Sequence, residues 1–185
     1  MWCKQCNRET ENNVCEICDA ETEEDIPFEI YYCPHCNIPV IRATNDISKD
    51  TCPLCGGSTK YLSADLRPVF PEERLLVEIL FGKPLAFLNK SVWASNNRYY
   101  IDGNTKVLPN SIFSKVKASD VIEALKKYSE QNSYAFFDKN IETFCVANNL
   151  RLQYLFDEAT TFIKKAADNY PEENVVISFS GGKDS

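Results

Sequence analysis

The 185-residue chain holds a single histidine, His35. Ser-His or Cys-His nucleophilic catalysis therefore cannot be assembled away from that residue. Long apolar runs are missing: none approaches the roughly 20 residues that span a bilayer. The amino-terminal MWCKQ lacks the apolar stretch of a secretion signal. A membrane protein and a secreted disulfide scaffold are thereby disfavoured, and a cytoplasmic location is expected. Excess positive charge is missing too, with 20 basic against 27 acidic residues and a net charge of −7. The acidity is concentrated in residues 1–64, with 5 basic and 11 acidic groups, while residues 65–150 are nearly balanced at 11 and 10. Such a front third is poorly suited to gripping a nucleic-acid backbone, which relies on Lys and Arg. The 44% hydrophobic content is enough for a sizeable core.

Cysteine, by contrast, is abundant and regular. Eight of the nine cysteines form four CxxC pairs: Cys3/Cys6, Cys15/Cys18, Cys33/Cys36 and Cys52/Cys55. Two intervening residues make a tight knuckle that aims both thiolates at one ion, and four thiolates complete a tetrahedral structural zinc site. Sequential pairing places Cys3, Cys6, Cys15 and Cys18 on one Zn2+ and Cys33, Cys36, Cys52 and Cys55 on a second; crossed pairing is also compatible with the spacing. Fifteen residues separate the second pair of knuckles. That length suits a zinc ribbon whose hairpin runs through Tyr31-Tyr32 and Pro39-Val40-Ile41-Arg42. Disulfides and a redox dithiol are the competing readings; neither suits four tandem pairs in a chain without a secretion signal. His35, inside the knuckle Cys33-Pro34-His35-Cys36, is expected to point outward. Modules this small need the metal for their folding energy, and a closed four-thiolate site implies a structural role.

Beyond Gly56-Gly57-Ser58 the pattern changes. Pro71-Glu72-Glu73-Arg74 reads as a helix start, with Leu75, Leu76, Ile79 and Leu80 as an apolar stripe and Gly82 as the stop. Ser91–Ser95 and Arg98–Ile101 flank Asn96-Asn97 as a hairpin, and Asp102-Gly103 turns toward Lys106–Leu108, giving a sheet of about three strands. The aromatics Trp93, Tyr99 and Tyr100 are expected to fill that sheet's core rather than to stack nucleic-acid bases. Ser119-Asp120 is expected to cap a helix, a second helix covers about Asp138 to Asn148 with Cys145 inward, and the strongest amphipathic pattern runs from Leu152 to Asp168.

The chain closes on Val175-Val176-Ile177-Ser178-Phe179 followed by Ser180-Gly181-Gly182-Lys183-Asp184-Ser185. An apolar strand entering a glycine pair suits an anion cradle, because glycine lets backbone N–H groups approach a phosphate closely. It is not the common P-loop, which has GxxxxGK before Ser or Thr. The string VVISFSGGKDS resembles the PP-loop of the ATP-pyrophosphatase superfamily, and within it the phosphoadenosine phosphosulfate (PAPS) reductase family. That resemblance implies a phosphate held by the N–H groups of Gly181, Gly182 and Lys183, by the Ser180 and Ser185 hydroxyls and by the Lys183 ammonium, with Asp184 orienting the loop or helping to hold Mg2+. It implies ATP or PAPS as ligand, and nucleotide-dependent sulfur transfer or reduction as chemistry, with a thiol-reductant protein or a nucleic acid as partner. Two other readings stay open: a tRNA-thiolating PP-loop enzyme that activates its substrate by adenylation, and a zinc-dependent nucleic-acid or protein binding module. No catalytic residue is identified.

The expected architecture is α+β and multi-modular: a first zinc module (1–28), a second zinc ribbon (29–60), a small α+β domain (61–130), a helical segment (131–170), and the first strand and PP-loop of an α/β nucleotide domain (171–185). The chain is accordingly expected to be the front part of a longer enzyme.

Overall fold

The computed structural model describes residues 2–3, 8–9, 12–22, 28–44, 46–112, 114–171 and 174. The expected strand Val175–Phe179 and the loop Ser180–Ser185 lie outside the described residues. The described chain is α+β, with small antiparallel sheets and four α-helices. It forms two compact units: one is Ile26–Asn149, the other combines Met1–Asp25 with Leu150–Ser185.

In the smaller unit, β1 (Trp2–Cys3) pairs antiparallel with β2 (Arg8–Glu9). An isolated bridge, Val14 to Glu21, brackets the knuckle Cys15–Cys18. Helix α4 (Asn149–Asp168) carries the 3.6-residue apolar period that the sequence shows, yet none of its described residues is buried. Phe156, Phe162 and Ile163 are 67%, 69% and 64% exposed.

The larger unit begins with a three-stranded ribbon in the order β4-β3-β5, formed by β3 (Phe28–Cys33), β4 (Ile38–Ala43) and β5 (Lys60–Ser63). Burial is concentrated at the knuckle end, where Tyr31, Tyr32, Cys33, Ile38, Pro39 and Val40 are all buried. Pro39 is compatible with a strand because β4 is an edge, where the missing N–H interrupts no ladder bond.

A four-stranded sheet follows, in the order β6-β7-β8-β9: β6 (Arg67–Pro68), β7 (Val92–Ser95), β8 (Arg98–Ile101) and β9 (Asn104–Val107). The three expected strands are present, and β6 adds a short fourth. Asp102 and Gly103, with φ of +49° and +71°, make the β8–β9 turn, both in the left-handed region that two-residue hairpin loops favour. The register Val92–Ile101 and Ala94–Tyr99 puts these four residues on one face of the sheet. They form a core with Val69, Phe87, Leu108 and Val77 of helix α1 (Pro71–Leu80). Trp93 and Tyr100 pair across the same strands and occupy the opposite face. There Trp93 meets Phe144 of helix α3 (Ala135–Ala147), with ring centroids 4.9 Å apart. Trp93, Tyr99 and Tyr100 are thus core residues, buried because helices cover both faces.

Helix α1 starts at Pro71 and stops before Gly82 (φ +67°), whose N–H reaches the Ile79 carbonyl at 2.8 Å. Helix α2 (Ala118–Tyr128) begins earlier than the expected Ser119-Asp120 cap. Lys117 occupies the cap position, and the Ser119 hydroxyl donates to Asp120 instead of capping. Cys145, expected to be inert core, is exposed. Asn140 and Asn148 belong to the inward stripe of α3 through their bonds to the ribbon, which rotates Cys145 off the buried face. No helix among the described residues is long and apolar enough to cross a membrane.

Candidate metal centres

Three described knuckles share one backbone construction. In each, the N–H of the residue after the second cysteine donates to the carbonyl of the first: Asp19 to Cys15 at 3.0 Å, Asn37 to Cys33 at 2.9 Å and Gly56 to Cys52 at 2.9 Å. Each of those residues has positive φ, +55°, +58° and +68° in turn. Asp, Asn and Gly are the residue types that accept this conformation at low cost. The turn is closed one step further out. Cys15 N–H meets the Ala20 carbonyl at 2.9 Å and Cys52 N–H meets the Gly57 carbonyl at 2.8 Å, while Cys33 pairs with Ile38 in the β3–β4 ladder. The result is that both sulfurs of a knuckle leave the same side of the turn.

In the ribbon, the sulfurs of Cys33, Cys36, Cys52 and Cys55 all lie within 4.8 Å of one another. Cys33 and Cys55 sulfurs are 3.6 Å apart, and those of Cys36 and Cys52 are 3.9 Å apart. A tetrahedron of thiolates at the zinc–sulfur distance of about 2.3 Å has edges of about 3.8 Å, whereas a disulfide would need about 2.05 Å. The donor set therefore fits a tetrahedral metal ion. Cys33 and Cys52 are buried, Cys36 is half-buried and Cys55 is exposed. His35 is exposed and lies outside the cluster.

Backbone N–H groups reach the sulfurs as well. Cys36 N–H donates to Cys33 Sγ at 3.3 Å and Gly57 N–H to Cys55 Sγ at 3.4 Å. The Gly57 bond, with help from Cys36, lowers the Cys55 thiol to about 7. Burial pushes Cys33 and Cys36 upward instead. A divalent cation reverses that effect of burial, since a coordinated thiol is deprotonated outright.

The second cluster, in the smaller unit, gathers Cys3, Cys15 and Cys18, with Cys3 and Cys18 sulfurs 3.5 Å apart. Backbone N–H groups of Ile17 and Cys18 bring the Cys15 thiol down to about 6. Cys6, the fourth expected ligand, lies outside the described residues. Among those described, cysteines gather in the sequential grouping, Cys33 and Cys36 with Cys52 and Cys55, and Cys3 with Cys15 and Cys18. Either cluster could hold a metal ion. The phosphate-loop residues Ser180, Gly181, Gly182, Lys183, Asp184 and Ser185 all fall outside the described part.

Two features were not foreseen from the sequence. One is a buried ion pair on α1, Arg74 and Glu78, 3.7 Å apart. Glu78 accepts the N–H groups of Leu85 and Phe87, each at 2.7 Å, and Arg74 donates to Asn132 at 2.6 Å and to the Leu88 carbonyl. Burial raises the Glu78 carboxyl and lowers the Arg74 guanidinium. Every partner of the pair is structural, so it pins the loop after α1 rather than facing a ligand. The other is a cleft of about 350 Å³ lined by Glu72, Leu75, Leu125, Lys126, Ser129 and Asn132. Its carboxylate, Glu72, accepts the Tyr134 hydroxyl at 2.7 Å. The cysteine clusters remain the groupings with recognisable chemistry. No family model, curated protein or solved structure matches the chain, and its function is read from these clusters and from the terminal motif.

Proposed function

We propose that this chain belongs to a PP-loop protein similar to the PAPS reductase family, in which two structural zinc sites and a small α+β region precede, in sequence, an adenine-nucleotide site at Ser180–Ser185. The single observation that carries the nucleotide reading is the string VVISFSGGKDS, an apolar strand running into paired glycines and a lysine. Backbone N–H groups at Gly181, Gly182 and Lys183 suit an anionic phosphate, and Lys183 supplies a compact counter-charge. ATP or PAPS is the ligand class, with Mg2+ near Asp184, and the chemistry is nucleotide-dependent sulfur transfer or reduction. The metal reading is supported by sulfur separations that match a tetrahedral thiolate site. Four thiolates leave no coordination position for a substrate, so the role of the ribbon metal is structural.

Elemental analysis of unchelated protein should give two zinc ions per chain. Calorimetric titration of the protein with ATP or PAPS should show binding. A Gly182→Ala, Lys183→Ala variant should lose that binding while keeping both metals. Unchanged nucleotide affinity in the variant would overturn the loop assignment, and one zinc or none would overturn the metal assignment.

A further inference from the structure

Asn37 ends the first ribbon knuckle, immediately after the ligand candidate Cys36, and each of its polar atoms is engaged. Its N–H closes the knuckle on the Cys33 carbonyl. Its side-chain Oδ1 accepts the hydroxyl of the buried Tyr32. Its Nδ2 donates to Asp102 Oδ1 at 3.2 Å, 65 residues away. Its carbonyl accepts Asn140 Nδ2 of α3 at 2.9 Å.

The network continues from those partners. Asp102 Oδ1 also accepts the Ser91 N–H at 3.0 Å, and Oδ2 accepts Lys90 Nζ at 2.6 Å. Asp102 returns its own N–H to the Ser91 carbonyl at 2.9 Å. Ser91, fully buried, accepts Trp93 Nε1 at 2.9 Å and meets Asn140 Oδ1 at 3.1 Å. One residue of the metal turn thus touches the turn of the four-stranded sheet and, through the sheet's neighbour α3, the residue that anchors Trp93. Packing follows the same line. A Cβ on Gly103, beside Asp102, would lie 2.3 Å from the Tyr32 ring.

We propose that Asn37 is a metal-coupled latch: an ion held by Cys33, Cys36, Cys52 and Cys55 fixes the knuckle that keeps Asn37 in its left-handed conformation, and Asn37 in turn fastens the four-stranded sheet and α3 to the ribbon. The inference rests on the metal reading of the ribbon and is independent of the nucleotide loop. Without the ion, backbone bonds close each knuckle singly, while the sulfurs of the two knuckles keep only weak thiol contacts with one another, and the hold on the side-chain bonds of Asn37 loosens. Coupling of this kind is reciprocal, so the latch must also hold the metal.

The test uses the 185-residue chain loaded with zinc. Metal content is measured first, then amide hydrogen exchange of β7, β8 and α3, then zinc release to a chromogenic chelator. Cys52→Ser, which removes a ribbon ligand, should speed exchange in β7 and β8 at least about tenfold, while Cys15→Ser, in the other cluster, should leave it unchanged. Asn37→Gly keeps the positive φ and removes the side-chain bonds. It should retain zinc, release it about tenfold faster and exchange its sheet amides about tenfold faster, as the loss of one to two net hydrogen bonds implies. Wild-type exchange in Cys52→Ser would overturn the latch. So would faster exchange in Asn37→Gly with an unchanged release rate, because a merely structural asparagine behaves that way, and so would wild-type values for both. Absence of zinc from the ribbon of the wild-type chain would overturn the metal reading and the latch together, whereas zinc bound without coupling would overturn the latch alone.

Discussion

Asn148 closes the outer edge of β4 at Ile41. Its Oδ1 accepts the Ile41 N–H at 2.7 Å, and its Nδ2 donates to the Pro39 carbonyl at 3.1 Å, so one buried side chain takes the place of a neighbouring strand. The same Nδ2 meets the Phe144 carbonyl at 2.9 Å, which ties the end of α3 to the ribbon. An uncovered strand edge presents unpaired donors and acceptors, and this asparagine removes both at the point where Pro39 precludes an ordinary ladder.

Replacing Asn148 with Leu should therefore destabilise the Ile26–Asn149 unit by about 2–3 kcal/mol, since a buried N–H and a carbonyl lose their partners. Urea denaturation should show a lower midpoint with an unchanged slope. A wild-type midpoint would show that water serves the edge equally well.

Arg74→Met should be more damaging, by about 3–5 kcal/mol, because Glu78 would remain buried with its cation gone. The double variant Arg74→Met, Glu78→Gln should recover part of the loss in the same denaturation experiment. A double variant as unstable as the sum of the singles would mean that the two groups act independently.

Gly103→Ala should also destabilise the larger unit. The added methyl would collide with Tyr32 ring carbons at 2.3–2.8 Å, and the φ of +71° disfavours any side chain. Overpacking and backbone strain together suggest about 2–4 kcal/mol, read as a drop in thermal midpoint. Shrinking the obstacle with a second change, Tyr32→Leu, should restore part of it.

Glu73 gives the larger unit a defined acid response. Burial pushes its carboxyl upward, but paired bonds from Arg67 at 2.6 Å and one from the Tyr99 hydroxyl at 2.9 Å outweigh it, leaving the folded value below the ordinary one. A carboxyl lowered on folding stabilises the native state above its unfolded value, and that contribution is lost as pH falls through the folded value. Wild type should thus exceed Glu73→Gln in stability at pH 7, by about 1 kcal/mol given the exposure of Arg67, and the gap should close below the usual carboxylate range. A gap that persists at pH 2–3 would point to packing rather than charge.

How much of this was legible in the sequence depends on the range of the interaction involved. The three described knuckles, the hairpin at Asn96-Asn97 and the proline start and glycine stop of α1 are decided by neighbours within a few residues, and they read correctly from composition. The residue that follows each of the three described CxxC pairs was a further local signal: Asp19, Asn37 and Gly56 are of the types that tolerate positive φ. The fastening roles of Asn37, Asn140 and Asn148 were not legible, because their partners lie 65 to 109 residues away. The exposed Cys145 has the same origin, since tertiary bonds to Asn140 and Asn148 decide which side of α3 turns inward. The two-residue strand β6 is too short to leave a periodic signature.

The repeated knuckle has one more consequence. Because the same turn presents sulfur in both units, the ligand fields it creates should be close to indistinguishable. Cobalt(II) introduced into either cluster should absorb visible light at nearly the same wavelengths, and the two sites would be told apart by how fast they fill rather than by colour.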